Sequence, residues 1–158
     1  MLIGGFNDDE IPAMAELTRK YPVDMRFIEL MPMLEKGFGA EAFIPASTVL
    51  DKLPEMTELP HNGGVARLYH LPDAKGNIGL ISPVSSHFCA ECNRIRITAD
   101  GKIKPCLHAR AEYSLKGLDR EGMTAVLRSA IESKPAQHAH LSASELSDAG
   151  RNMNQIGG

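Results

Sequence analysis

The sequence predicts a mixed α/β protein, and three features of its 158 residues indicate this class. Residues 1–31 read as strand, helix and strand, the unit from which parallel α/β sheets and barrels are built. Residues 65–106 read as short strands joined by turns, which favours a small antiparallel sheet. Residues 119–134 carry apolar side chains at helical spacing and predict the clearest helix of the chain.

A strand is predicted at Val23–Met31, directly after Pro22, which ends the preceding helix. Phe27, Glu29 and Met31 share one face of that strand, since side chains alternate with a period of two. A glutamate between apolar neighbours in a buried strand needs a partner, and an ion pair with an adjacent strand is the simplest one. Met31 on this pattern alone is a core residue.

The middle of the chain changes from helix-containing to strand-containing patterns. Residues 45–53 predict a short helix, and residues 54–64, with two prolines and a glycine pair, predict a long surface loop. Val65 to Leu71 and Ile78 to Ser82 then predict two strands joined by a turn at Gly76. We therefore place a boundary between two subdomains near the loop at residues 54–64.

All three cysteines of the chain lie in one short stretch, with the pattern C-x2-C-x13-C from Cys89 to Cys106. Arg94 to Thr98 alternates polar and apolar residues, as a half-buried strand does. Asp100-Gly101 predicts a two-residue hairpin turn, and residues 102–106 predict the returning strand. The pattern therefore predicts that Cys106 returns towards the first two cysteines.

Three thiolates favour a metal centre, and the spacing leaves two kinds open equally. Structural zinc takes four ligands, and His87 or His108 could be the fourth. A [4Fe–4S] cluster on three thiolates has one iron open to another ligand. A disulfide with a spare thiol, or three buried cysteines, are the simpler interpretations. The odd number of cysteines and the lack of a secretory signal disfavour a disulfide.

Two arginines follow the second cysteine. Arg94 and Arg96 are two positions apart and share a strand face, while Ile95 and Ile97 point to the other face and are expected to be buried. An Arg-x-Arg pair is most often a solvated strand face. Beside a metal-type cysteine it favours an anionic ligand, since guanidinium groups match phosphate oxygens.

Four stretches and the C-terminus carry a resemblance to a known family, and the most specific stretch is residues 88–102. The others are residues 5–11, 26–32 and 78–85 and the terminal Gly157-Gly158. They resemble, in order and through nearly the whole chain, the C-terminal half of the MoaA family. Its members are the GTP 3′,8-cyclases of molybdenum cofactor biosynthesis, which are radical S-adenosylmethionine (SAM) enzymes.

The resemblance implies an architecture for each part of the chain. Residues 1–53 would be the end of a partial radical-SAM (β/α) barrel, and residues 54–64 a linker loop. Residues 65–134 would be a cluster- and GTP-binding region, in which a small antiparallel sheet carries the iron–sulfur site and a C-terminal helix follows. Residues 135–158 would be a mobile tail that ends in Gly-Gly.

The resemblance also implies roles for individual residues. Three cysteines would bind the C-terminal [4Fe–4S] cluster: Cys89, Cys92 and Cys106. Three residues on the following strand would bind GTP: Arg94, Ile95 and Arg96. Met31 would contact SAM, and the tail residues Gly157 and Gly158 would reach into the active site and take part in catalysis. His138 and His140 in the tail are expected to be solvated.

The full family enzyme also has an N-terminal C-x3-C-x2-C motif, which this sequence lacks. In the family that motif holds a second [4Fe–4S] cluster, which cleaves SAM so that a hydrogen can be removed from C3′ of GTP. The chain therefore looks like a fragment. We expect that it does not cyclise GTP alone, and that its partners are GTP and either a missing N-terminal radical-SAM half or a second copy of itself.

Composition limits the alternatives. A net charge of −3 argues against a general nucleic-acid binder. The sequence contains no run of about 18 apolar residues, the length that would predict a membrane-spanning helix. We expect a cytoplasmic protein. The alternative function is a zinc-stabilised nucleotide- or nucleic-acid-binding module with three cysteines and one histidine as ligands. Another radical SAM enzyme with an auxiliary cluster is a third interpretation, although such enzymes usually carry more cysteines.

Overall fold

The structure is a computed structural model that describes residues 1–33, 39–61, 63–138, 141, 145 and 147–156. The chain divides into two compact units. The first comprises Met1–Met31 and Phe38–Glu91, and the second comprises Pro32–Gly37 and Cys92–Gly158.

A four-stranded mixed sheet forms the centre of the first unit. Its strands are β1 (Met25–Ile28), β2 (Thr57–Glu58), β3 (Arg67–His70) and β4 (Ile78–Ile81). They lie in the order β1-β4-β3-β2, in which β1 and β4 are parallel and the other two pairs are antiparallel. The mixed α/β class predicted from the sequence is thereby confirmed, while the barrel remains an expectation.

Three helices accompany this sheet: α1 (Ile11–Ala15), α2 (Leu17–Lys20) and α3 (Ser47–Lys52). The last of these confirms the short helix predicted at residues 45–53, and its Val49 is fully buried. Helix and sheet side chains form one apolar core. Its buried members are Leu2, Ile11, Ala15, Phe27, Ala46, Val49, Leu53, Tyr69, Leu71, Ile78 and Leu80.

The predicted strand pairing is wrong in one respect. Residues 65–106 do not form a single antiparallel sheet, because β4 pairs in parallel with β1 through Met25 and Ile78. Burial explains this, since three consecutive residues of β4 (Ile78, Gly79 and Leu80) are buried. A strand buried on both faces suits a central position with partners on both sides.

The second unit contains a separate three-stranded antiparallel sheet, as predicted for the cysteine hairpin. Its strands are β5 (Arg96–Ile97), β6 (Lys102–Lys104) and β7 (Tyr113–Ser114), in that order. Helix α4 (Arg120–Glu132) packs against β6 and β7 and confirms the helix predicted at residues 119–134. Its N-terminus is capped by the Asp119 carboxylate, which accepts a hydrogen bond from the Gly122 N–H at 2.8 Å.

The turn between β5 and β6 lies where it was predicted but is longer. The Thr98 N–H donates to the Lys102 carbonyl oxygen at 2.9 Å, so three residues rather than two form the loop. Only its last residue, Gly101, has a positive φ, of 75°. A type I turn followed by a left-handed glycine is the usual form of a three-residue hairpin loop.

The described part of the tail is packed, which the sequence did not predict. Ser147, Ala149 and Ile156 are buried, and Ile156 ends the short helix α5 (Met153–Ile156). Buried apolar side chains hold such a segment in place. Gly157, Gly158 and His140 lie outside the described residues. In the part of the chain that the structure describes, no helix has the length and apolar character needed to cross a bilayer.

Candidate metal centre

The three cysteines are all free thiols, and each is half-buried. Cys89 begins a 3-10 turn, Cys89–Glu91, at the end of the first unit, and Cys92 follows that turn directly. Cys106 lies two residues beyond the end of β6. Neither a disulfide nor three fully buried cysteines describes them, so both of the simpler interpretations are wrong.

The hairpin in the second unit carries Cys106 back along the chain, as the sequence predicted. Arg96 pairs with Lys104, and Ile97 pairs with Ile103. The same register, continued beyond the strand ends, would place Cys106 opposite Arg94, two residues from Cys92. Among the described residues, no group of three or more Cys, His, Asp or Glu side chains is arranged to hold a metal ion. The metal ligands therefore stay a prediction.

Lys134 is the residue of this region that sequence reasoning missed. Its ammonium Nζ lies 3.5 Å from the Sγ of Cys92 and 2.6 Å from the carbonyl oxygen of Arg94. The sequence places Lys134 at the end of the predicted helix. Nothing in the sequence indicates that its side chain contacts a cysteine 42 residues away.

The predicted GTP-binding residues lie on and just before the edge strand β5. Arg94 precedes the strand and is exposed, whereas Ile95 and Arg96 are half-buried. Ile97 is 60% exposed, so the expectation that it is buried is wrong. Ile97 lies on the edge strand β5 and is open to solvent, whereas its partner Ile103 lies on the central strand β6 and is fully buried. Binding of GTP by these residues stays a prediction.

Glu29, predicted to have an ion-pair partner, is instead held by hydrogen bonds. Its fully buried carboxylate accepts from the backbone N–H groups of Ala46, Val84 and Ser85 at 2.9, 3.0 and 2.9 Å, and from the Ser85 hydroxyl. The interaction therefore joins the end of β1 to two loops of the first unit. Met31, two residues later, is half-buried, and its contact with SAM stays a prediction.

A charged cluster in the second unit connects the tail to the cysteine hairpin. The Arg151 guanidinium contacts the Glu112 carboxylate at 2.5 and 2.7 Å and Asp100 at 2.8 Å. These hydrogen bonds lower the pKa of Glu112 to about 2 and hold the pKa of Asp100 well below its usual range. Lys104, fully buried, donates to the carbonyl oxygens of Ala109 and Ala149 at 2.6 and 3.0 Å.

The histidines considered as zinc ligands have other contacts. His87 Nδ1 lies 3.0 Å from the Pro83 carbonyl oxygen in the first unit. In the second unit, His108 Nδ1 lies 2.8 Å from the Ser147 hydroxyl, and the His108 ring is 5.0 Å from that of His138. His138 is half-buried, so it is less exposed than the sequence predicted.

A cavity of about 250 Å³ adjoins the 3-10 turn within the first unit. His61, Arg67 and His87 line it, together with Glu91, whose carboxylate lies 3.5 Å from His61 Nε2. Its lining shows that the turn carrying Cys89 borders open space in this unit.

A mixed α/β protein with three free thiols in one short stretch of its sequence is of the class that can bind a thiolate-ligated cofactor. Comparison with known proteins makes the assignment narrower. Residues 23–140 match the family model described as Molybdenum Cofactor Synthesis C, and the chain belongs to that family.

Curated relatives of the chain have one name in common, GTP 3′,8-cyclase. The chain is 44% identical over 163 residues to the protein from Alkaliphilus metalliredigens and 44% over 161 residues to that from Alkaliphilus oremlandii. It is 41% identical over 170 residues to the protein from Pelotomaculum thermopropionicum. These alignments cover 99–100% of the chain but 50–51% of each relative. The chain thus spans about half the length of these relatives, and the resemblance stated from the sequence is confirmed.

Proposed function

We propose that this chain is the C-terminal, GTP-binding [4Fe–4S] portion of a GTP 3′,8-cyclase. That enzyme converts GTP to (8S)-3′,8-cyclo-7,8-dihydroguanosine 5′-triphosphate in molybdenum cofactor biosynthesis. The name of the relatives supports the reaction, and their greater length supports a further half that contributes SAM cleavage. In this proposal the reaction takes place only when both halves are present.

The observation that carries the proposal is the hairpin after Cys92. Its register directs Cys106 back towards Cys92, from which Cys89 is three residues away along the chain. The donor set fits the cluster, since iron–sulfur clusters are held by cysteine thiolates and all three sulfurs are free. When bound, the cluster would supply an open iron for a nitrogen or oxygen atom of the substrate.

The remaining residues of the proposal position the substrate. Arg94 and Arg96 would bind the triphosphate, because paired guanidinium groups match phosphate oxygens and remain charged at any physiological pH. Ile95 would contribute backbone and apolar contacts between them. Met31 would contact SAM, and Gly157 and Gly158 would approach the reacting centre, where residues without side chains allow close access to the backbone.

Metal and sulfide content of anaerobically purified protein tests the proposal. We expect about four irons and four sulfides per chain, with broad absorption near roughly 400 nm. Cys106→Ala should lose most of the iron and sulfide because one of three ligands is removed. The matched control is Ser129→Ala on the exposed side of α4, which also truncates a small side chain to a methyl group. This variant should retain its iron and its sulfide.

The alternative function, a zinc-stabilised binding module, predicts a different metal content in the same experiment. One zinc and no sulfide in protein never exposed to air would contradict the cluster assignment. Replacement of His87 or His108 would then be expected to release the zinc, whereas neither histidine should affect the iron content of a three-thiolate cluster.

A further inference from the structure

We propose that Lys134 is a positioning residue of the cluster site, which donates a hydrogen bond to the Cys92 sulfur and raises the reduction potential of the cluster bound there. This inference rests on the proposed function, because it concerns the cluster that the three cysteines would hold. It concerns a residue outside the cysteine motif, on a different element of the second unit.

The backbone at Lys134 is fixed by the end of α4. The Lys134 N–H donates to the Ile131 carbonyl oxygen at 3.1 Å, which continues the last turn beyond the helix. The neighbouring Ser133 hydroxyl donates to the Ala130 carbonyl oxygen at 3.0 Å and accepts from the Tyr113 hydroxyl of β7 at 2.9 Å. Because Ala130 is fully buried, the helix end is anchored on the sheet.

From this anchored end the Lys134 side chain extends to the segment that follows the second cysteine. Its Nζ is 2.6 Å from the Arg94 carbonyl oxygen and 3.5 Å from Cys92 Sγ. An ammonium group has three N–H donors, so both contacts can form at once. A lysine at a helix end usually extends its charge into water, but Lys134 is half-buried and directed at these two acceptors.

The two contacts have separate consequences. A charged donor near a thiolate sulfur stabilises negative charge on it, and hydrogen bonds to the sulfurs raise the reduction potential of iron–sulfur clusters. The bond to the Arg94 carbonyl restrains the backbone between the ligand and β5. Lys134 would therefore affect both the potential of the cluster and the retention of its iron.

The test compares three variants of the full chain after anaerobic cluster reconstitution. Lys134→Met removes the charge and the donor but keeps the length of the side chain, and Lys134→Arg keeps both. Lys116→Met removes a lysine that is exposed after β7, and is the matched control for net charge. The readouts are the midpoint potential in an EPR-monitored redox titration and the rate of iron release to a chelator.

We expect Lys134→Met to shift the midpoint to a more negative potential and to release iron about 10-fold faster, as loss of an outer-shell partner typically does. Lys134→Arg should restore most of both properties, and Lys116→Met should match the original chain. If Lys134→Met binds its cluster and has the same midpoint potential as the original chain, the inference about Lys134 is overturned and the proposed function is not affected. An original chain that takes up no cluster would overturn this inference together with the proposed function.

Discussion

At the scale of single residues, Glu29 shows how a buried charge is stabilised without an opposite charge. Its carboxylate accepts three backbone N–H groups and one hydroxyl, all within the first unit. Backbone donors cannot move away when the acceptor is removed, because the chain positions them. Loss of the carboxylate would therefore leave one buried donor, the Ala46 N–H, and the part-buried donors of Val84 and Ser85 without their acceptor, which is costlier than loss of one ordinary hydrogen bond.

Replacement of Glu29 tests this account. Glu29→Ala should lower the free energy of unfolding by about 3 kcal/mol or more, measured by urea denaturation, because up to three N–H groups lose a charged acceptor. Glu29→Gln should cost less, since its amide oxygen still accepts. Glu55→Ala, which removes an exposed carboxylate 3.6 Å from Arg19, should change stability by less than about 1 kcal/mol. Equal effects of the two alanine variants would contradict the proposed role of the Glu29 hydrogen bonds.

Lys134 and Glu29 also show what sequence patterns omit at this scale. The need of Glu29 for a partner followed from its position in an apolar strand, but its partners did not. They lie on two loops far along the chain, up to 56 residues away. The contact between Lys134 and Cys92 has the same character. Both depend on the packing of separate elements, about which local spacing carries no information.

At the scale of elements, the cluster of Arg151, Glu112 and Asp100 joins the tail to the hairpin turn. Asp100 lies in the loop between β5 and β6, and Arg151 lies just before α5. Its guanidinium holds the pKa of both carboxylates down, that of Glu112 from 4.5 to about 2. A carboxylate with a lowered pKa contributes stability above its unfolded pKa, and this contribution is lost as the pH falls through the folded value.

Arg151→Met should therefore have a pH-dependent effect on stability. At pH 7 it should lower the urea midpoint, because two carboxylates lose their guanidinium partner. The difference from the original chain should begin to decrease as the pH falls below about 4.5 and continue to decrease through pH 2, because Glu112 of the original chain becomes protonated around that pH and Asp100 only at lower pH. Arg128→Met, on the exposed side of α4, should show little effect at any pH. A difference between Arg151→Met and the original chain that stays constant with pH would argue against the ion pairs.

Elements whose signals are local were predicted well from the sequence. Helix α4 has its own apolar spacing and an aspartate cap, and both are visible within 14 residues. The hairpin was predicted from Asp100-Gly101, but its length was not, because Thr98 closes the loop through a bond to Lys102. The pairing of β4 with β1 was missed, since it joins segments about 50 residues apart that no turn connects. The burial of Ser147, Ala149 and Ile156 in the tail was not predicted, because the tail carries few apolar residues and no regular apolar spacing.

At the scale of the whole molecule, the number of cysteines limits what the chain can do. It has three, all in one motif, and the proposed function assigns them to a single cluster. Cleavage of SAM in the family needs a second cluster with three cysteines of its own. The proposed C-terminal cluster would use all three cysteines of these 158 residues. We therefore predict that these 158 residues alone bind the substrate and do not generate the radical.

This separation is the last prediction. The reconstituted chain should bind GTP in calorimetry, and Arg94→Ala should weaken binding about 10- to 100-fold, since loss of a charged hydrogen bond costs about 1.5–3 kcal/mol. Arg128→Ala is the matched control.

With SAM and a reductant the chain alone should form no cyclised product. Addition of the half of the Alkaliphilus metalliredigens relative that this chain does not cover should restore product formation. Turnover by the chain alone would show that three cysteines suffice, and would contradict the assignment of the radical step to a separate cluster.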